Sequence, residues 1–153
     1  MKFCYSYDHR NAEAEWTRRD LQEWLTDIVE APRVKIHKRC TTDIRKHVHD
    51  ELSKEGWAMN VKIDQNLGLT VFALRDDLAF QLQTGNMSRA PYDFLKLQHL
   101  YQMRRIEAAA LAVPVKACAD KIGSNIANAE RICNELTLFD RIITVPILVV
   151  AFS

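Results

Sequence analysis

The chain lacks most of the features that assign a protein at sight. Its four cysteines, Cys4, Cys40, Cys118 and Cys133, share no C-x-x-C spacing, so neither a disulfide scaffold nor a zinc module is indicated. An excess of one charge is also missing: 21 Lys and Arg stand against 20 Asp and Glu, a net charge of +1. Affinity for a polyanion therefore has to come from a local patch. The opening residues MKFCYSYDH contain no apolar signal-peptide core, and the longest apolar run, IITVPILVVAF, is interrupted by Pro146 and too short to span a bilayer. These absences point to a cytoplasmic protein with reduced thiols and no membrane contact. No P-loop, G-x-G-x-x-G, H-E-x-x-H or G-x-S-x-G motif occurs, and no small-molecule cofactor is expected. Without repeats, low-complexity segments or a linker, residues 1–153 read as one domain, large enough to bury a core without disulfide or metal help.

What is present is periodicity. Trp16, Leu21, Trp24, Leu25 and Ile28 fall near helical spacing and predict a helix over 12–30, followed by Pro32. A second helix runs from a Thr41 or Thr42 cap to about Lys54, with Ile44, Val48 and Leu52 on one face and Gly56 as its end. Residues 59–63, 69–74 and 78–83 read as strands, the last two joined by the turn Arg75-Asp76-Asp77. A helix over 91–104, a strand over 106–113, a short helix over 115–121, a helix over 126–136 capped by Ser124 or Asn125, and a final buried strand over 142–150 complete the chain. This order predicts an α/β fold, a mixed central sheet flanked by helices.

Two places carry polar chemistry. On the strand LAFQLQ, alternation turns Gln81 and Gln83 to the same face. Gly85, Asn86, Ser88 and Arg89 follow at the strand end, a glycine that lets the backbone approach closely and then polar and basic side chains, which are the parts of a phosphate contact. Asn86, Arg89 and Lys96 are the candidate DNA-binding side chains there. The second place is the basic stretch from Arg33 to Lys46, including Lys38 and Arg39, which is either a solvated face or a phosphate-contacting surface. His47 and His49 lie two apart on their helix and point to different faces, so they do not form a zinc pair.

The runs QLQTGNMSRAPYDFLKLQHLY, AAALAVP, KIGSNIANAERICNEL and ITVPILVVAF, together with SYDH and KRCTTDIRKHVHDELSKEGW near the start, resemble the BglII-like type II restriction endonucleases. The resemblance implies a PD-(D/E)XK core whose central hairpin carries an Asp and then Glu-x-Gln. It further implies Mg2+ as cofactor, duplex DNA as partner and a homodimer. Laid on this sequence, the Gln position falls on Gln83, the Glu position on Gln81 and the Asp position near Phe72. Asp64 is the nearest acid upstream, and Glu51 matches a place where some nucleases of this core carry an extra acid. Asp64 and Glu51 are thus the candidate metal ligands, and Asp64, Gln81 and Gln83 the candidate catalytic set. Mg2+ prefers anionic oxygen ligands, and an amide supplies no charge. Two readings stay open: a divergent Mg2+-dependent nuclease with an altered site, or a non-catalytic relative that binds DNA or a protein in restriction or phage defence.

Overall fold

Small side chains set the centre of the molecule. Strand β5 (Ala108–Pro114), AAALAVP, is buried along its whole length. In the computed structural model, which describes residues 1–153, β5 lies between β4 (Leu78–Leu82) and β6 (Ile147–Phe152) and runs parallel to both. Antiparallel strands extend the sheet at either side: β1 (Phe3–His9) on β6, then β3 (Thr70–Arg75) on β4 and β2 (Ala58–Lys62) on β3. The order is β1-β6-β5-β4-β3-β2, the mixed sheet that the sequence predicts. Because β5 is mostly alanine, neighbouring elements approach its backbone closely enough for the Trp16 indole to donate a hydrogen bond to the Ala109 carbonyl at 3.3 Å.

Helices cover both faces. Helices α1 (Ala12–Thr17), α2 (Gln22–Asp27), α3 (Thr41–Lys54) and α5 (Lys116–Ile122) bury apolar side chains with Leu78, Phe80 and Leu82. On the other face, α4 (Ala90–Gln102) and α6 (Ala129–Leu138) pack over Ala79, Leu111 and Val149. Trp57 anchors the first layer. Its ring stacks on Trp16 at 6.1 Å and on Trp24 at 5.7 Å, and meets Phe80 edge-on at 6.4 Å. On the second layer, the buried Gln98 of α4 accepts from the Thr144 and Val145 amides at 2.8 and 2.9 Å, tying the helix to the approach of β6.

Five local features depart from the sequence reading, the first being that α3 has Cys40 at its N-cap position, without a side-chain cap, in place of Thr41 or Thr42. The helix over 12–30 is two helices, because Asp20 adopts φ 56°. The Asp20 amide donates to Thr17 and that of Leu21 to Trp16, the paired closure of a helix that ends in a left-handed residue. Strand β1 is additional: it is mostly exposed and pairs only with β6, so it has no apolar run to announce it. Helix α6 starts at Ala129, capped by Asn128, whose side chain accepts from the Arg131 amide at 3.0 Å, in place of Ser124 or Asn125. Finally, β6 begins only after Pro146, since proline has no N–H to give to a ladder, and Ile142 stays exposed.

No helix is long and apolar enough to cross a membrane. Trp57→Ala removes the centre of the indole stack and is expected to cost about 3–5 kcal/mol, read as a lower urea midpoint at unchanged slope. Burial raises the Cys118 and Cys133 thiols to about 11, Cys40 is buried, and only Cys4 is exposed. A thiol reagent at pH 8 should therefore titrate Cys4 rapidly in the native protein, the half-buried Cys133 slowly, and Cys40 and Cys118 only after denaturation.

Candidate functional site

The site begins where the β3–β4 hairpin comes apart. Main-chain pairing between these strands runs through Arg75–Leu78, Leu74–Ala79 and Ala73–Phe80 and then stops. The next amide, that of Phe72, donates to the Gln81 side-chain oxygen at 3.0 Å, so a side chain substitutes for the missing backbone partner. Strand β4 stays with β5, and beyond it the Gln83 amide still donates to Ala112 at 2.9 Å. As β3 leaves, a cleft of about 690 Å³ opens between the two strands and the first turns of α4.

At the floor of the cleft lies one carboxylate. Asp93 is 5% exposed and sits in the first turn of α4, where the helix dipole favours negative charge. Its Oδ1 accepts from Gln81 Nε2 at 2.8 Å and from Lys96 Nζ at 2.7 Å; its Oδ2 accepts from Gln83 Nε2 at 2.5 Å. Both glutamines thus point to the same face, as alternation requires, and one acid holds both. Lys96 also donates to the Thr70 carbonyl at 3.1 Å, which fastens α4 to the departing strand. Gln83 Oε1 accepts from the Gly85 amide at 2.8 Å, and a Cβ on Gly85 would stand only 3.2 Å from that oxygen. The glycine therefore leaves room for the glutamine.

The remaining charged side chains of the lining are cations. Arg89 is exposed at the rim, and the Arg45 guanidinium, from α3, lies 5.0 Å above the Phe72 ring, within cation–π range. With Lys96 these make three positive side chains against the single carboxylate.

Several sequence-predicted residues lie elsewhere. Asp64 accepts from the Asn66 and Leu67 amides at 2.8 and 2.7 Å, as a turn residue, and borders a separate apolar hollow beside Leu67, Tyr92 and Leu95. Glu51 pairs with Lys54 on the surface of α3 at 2.7 Å. Neither lines the cleft. Asn86 caps the short 3-10 turn Met87–Arg89 by accepting from Ser88 at 2.9 Å, and accepts from Asn125 at 3.1 Å. Lys38 and Arg39 are exposed and outside the cleft, and Arg45 is the member of the basic stretch that reaches it. The sequence reading passes over Asp93. Its only advance signal is the spacing to Lys96, an i, i+3 acid–base pair just inside a helix that starts with Pro91.

The donor set can be tested against Mg2+, which takes near-octahedral oxygen coordination through one or two carboxylates. Here one carboxylate is available, and three hydrogen bonds already engage its two oxygens, one of them from an ammonium. Nowhere in the chain do three His, Cys, Asp or Glu side chains lie close enough together to hold a metal ion. These residues do not fit Mg2+.

Removing the carboxylate leaves two buried amides and an ammonium without their acceptor. Asp93→Ala is expected to cost about 3–5 kcal/mol. A double-mutant cycle with Lys96→Met, followed by urea unfolding, should return a coupling of about 1–3 kcal/mol.

Among solved structures, restriction endonuclease BglII in complex with a DNA 16-mer superimposes with a TM-score of 0.83 at 15% identity, over 100% of this chain and 78% of that one. Free BglII superimposes with a TM-score of 0.74 at 16% identity, over 100% of this chain and 80% of the other. At such identities the likeness is one of fold. No curated protein sequence matches the chain. Residues 5–152 match the family described as restriction endonuclease BglII/BglIII, and the chain belongs to that family.

Proposed function

We propose that this member of the restriction endonuclease family binds duplex DNA through phosphate contacts in the β3–β4–α4 cleft, without Mg2+-dependent hydrolysis. The observation that carries this reading is the composition of the cleft: Arg45, Arg89 and Lys96 against Asp93, whose charge is already matched by Lys96. A site built to hold a divalent ion needs acids that are free to coordinate, whereas a site built to hold a phosphate needs cations and amide donors. Lys38 and Arg39, exposed ahead of α3 and outside the cleft, add positive surface charge without lining it, and Gln81 and Gln83 act by positioning Asp93 and, through it, Lys96. Asp64 serves its turn and Glu51 its surface pair. The BglII crystals with a DNA 16-mer make duplex DNA the natural partner to test.

A homodimer belongs to this reading as well, supported by large apolar side chains left in solvent, among them Leu138 and Ile142. A cytoplasmic setting also belongs to it, where the free thiols stay reduced.

Fluorescence anisotropy with a mixed-sequence duplex tests the proposal. The native protein should bind with log Kd rising linearly in log salt concentration, equally in EDTA and in Mg2+. Arg45→Ala and Arg89→Ala should each reduce the slope by about 0.9. Asp64→Ala should leave it unchanged. The same samples, incubated with Mg2+ or Mn2+, should show no nicking. Nicking that disappears in Asp64→Ala would return the chain to the hydrolases.

A further inference from the structure

The single carboxylate of the cleft already has a cation, and that cation is part of the chain. Lys96 Nζ lies 2.7 Å from Asp93 Oδ1, the oxygen that also receives the Gln81 amide, and 3.1 Å from the Thr70 carbonyl. Its side chain is only 13% exposed and yet borders the cleft. An ammonium carries three N–H donors, and these two contacts use two of them. One donor remains for a ligand.

We infer that the Lys96 ammonium is the resident cation of the cleft: it holds the place beside Asp93 and Gln81 that a divalent ion would need, and gives its remaining N–H to one phosphodiester oxygen. The inference rests on the reading of the cleft as a DNA phosphate site and names the contact within it. Three physical points support it. A divalent ion on Asp93 Oδ1 would stand within a few ångströms of a fixed ammonium, and the two charges would repel across a poorly hydrated site. Both glutamines direct N–H groups at Asp93, so its oxygens are faced by donors that oppose a metal. Arg89 at the rim and Arg45 over Phe72 add further positive charge at the same mouth. Asp93 is then a positioning residue, holding Lys96 upright under the phosphate.

Exclusion between lysine and metal makes this testable without any activity. Mn2+ is titrated into the native protein, Lys96→Ala and Gln81→Glu/Lys96→Ala, with the free ion read by its paramagnetic resonance signal and folding by circular dichroism. The native protein should bind Mn2+ at least tenfold more weakly than the double variant, which should take up one ion per chain, with Lys96→Ala between them. In parallel, Lys96→Ala should weaken binding of a mixed-sequence duplex about tenfold and lower its salt slope by about 0.9. Native protein binding Mn2+ as tightly as the double variant would overturn the inference, and so would a folded double variant that binds none. Should the variants not fold, the native protein decides: the 15N-ammonium resonance of Lys96 should shift on saturation with duplex in EDTA, and an unmoved resonance overturns the assignment. If no duplex binds at low salt, the DNA reading fails, while the Mn2+ comparison still reports on whether lysine occupies the cation position.

Discussion

Everything in the cleft depends on the Asp93 carboxylate. It is the acceptor for Gln81, Gln83 and Lys96, and through them it fixes the end of β4, the splayed end of β3 and the first turns of α4. Burying a carboxylate is costly unless it is paired and hydrogen-bonded. Here both conditions are met within one helical turn and one strand end. Where the hairpin parts, Gln81 supplies the acceptor that the Phe72 amide would otherwise lack, and Lys96 ties β3 to the helix across the gap. The geometry of the site and the stability of the hairpin mouth are one arrangement.

Charge decides what such a site can hold. The resemblance read from the sequence implies hairpin acids at Gln81 and near Phe72, and neither residue is an acid here. Phe72 has become the platform for an arginine, and Gln81 a donor to an acid from another element. The carboxylate that remains comes from α4 and arrives with its own lysine. The scaffold matches the family's, and the cleft meets a polyanion with fixed side-chain cations in place of a bound ion.

Much of this was legible in the sequence, and the failures have physical causes. Alternation along LAFQLQ placed both glutamines on one face, and β-branched, apolar composition marked the last strand. The five-residue step from Trp16 to Leu21 carried the break between α1 and α2, where a helix would need three or four, and a left-handed Asp20 takes up the difference. Strand β1 was invisible because an edge strand needs no apolar run. Asp64 drew attention by its position along the chain, yet an Asp before Gln-Asn-Leu-Gly is satisfied by its own turn. Asp93 could not be ranked, because nothing in YDFLK says that the acid faces inward. Its burial follows from how α4 lies across the sheet, a tertiary fact.

The most direct test of the account is a crystal structure of the chain with a short DNA duplex, grown in Mg2+. A phosphate oxygen is expected within hydrogen-bonding distance of Lys96 Nζ, with Arg89 at the same strand and Asp93 still engaged by Gln81, Gln83 and Lys96. A Mg2+ ion bridging Asp93 and the phosphate, with Lys96 swung away, would contradict it.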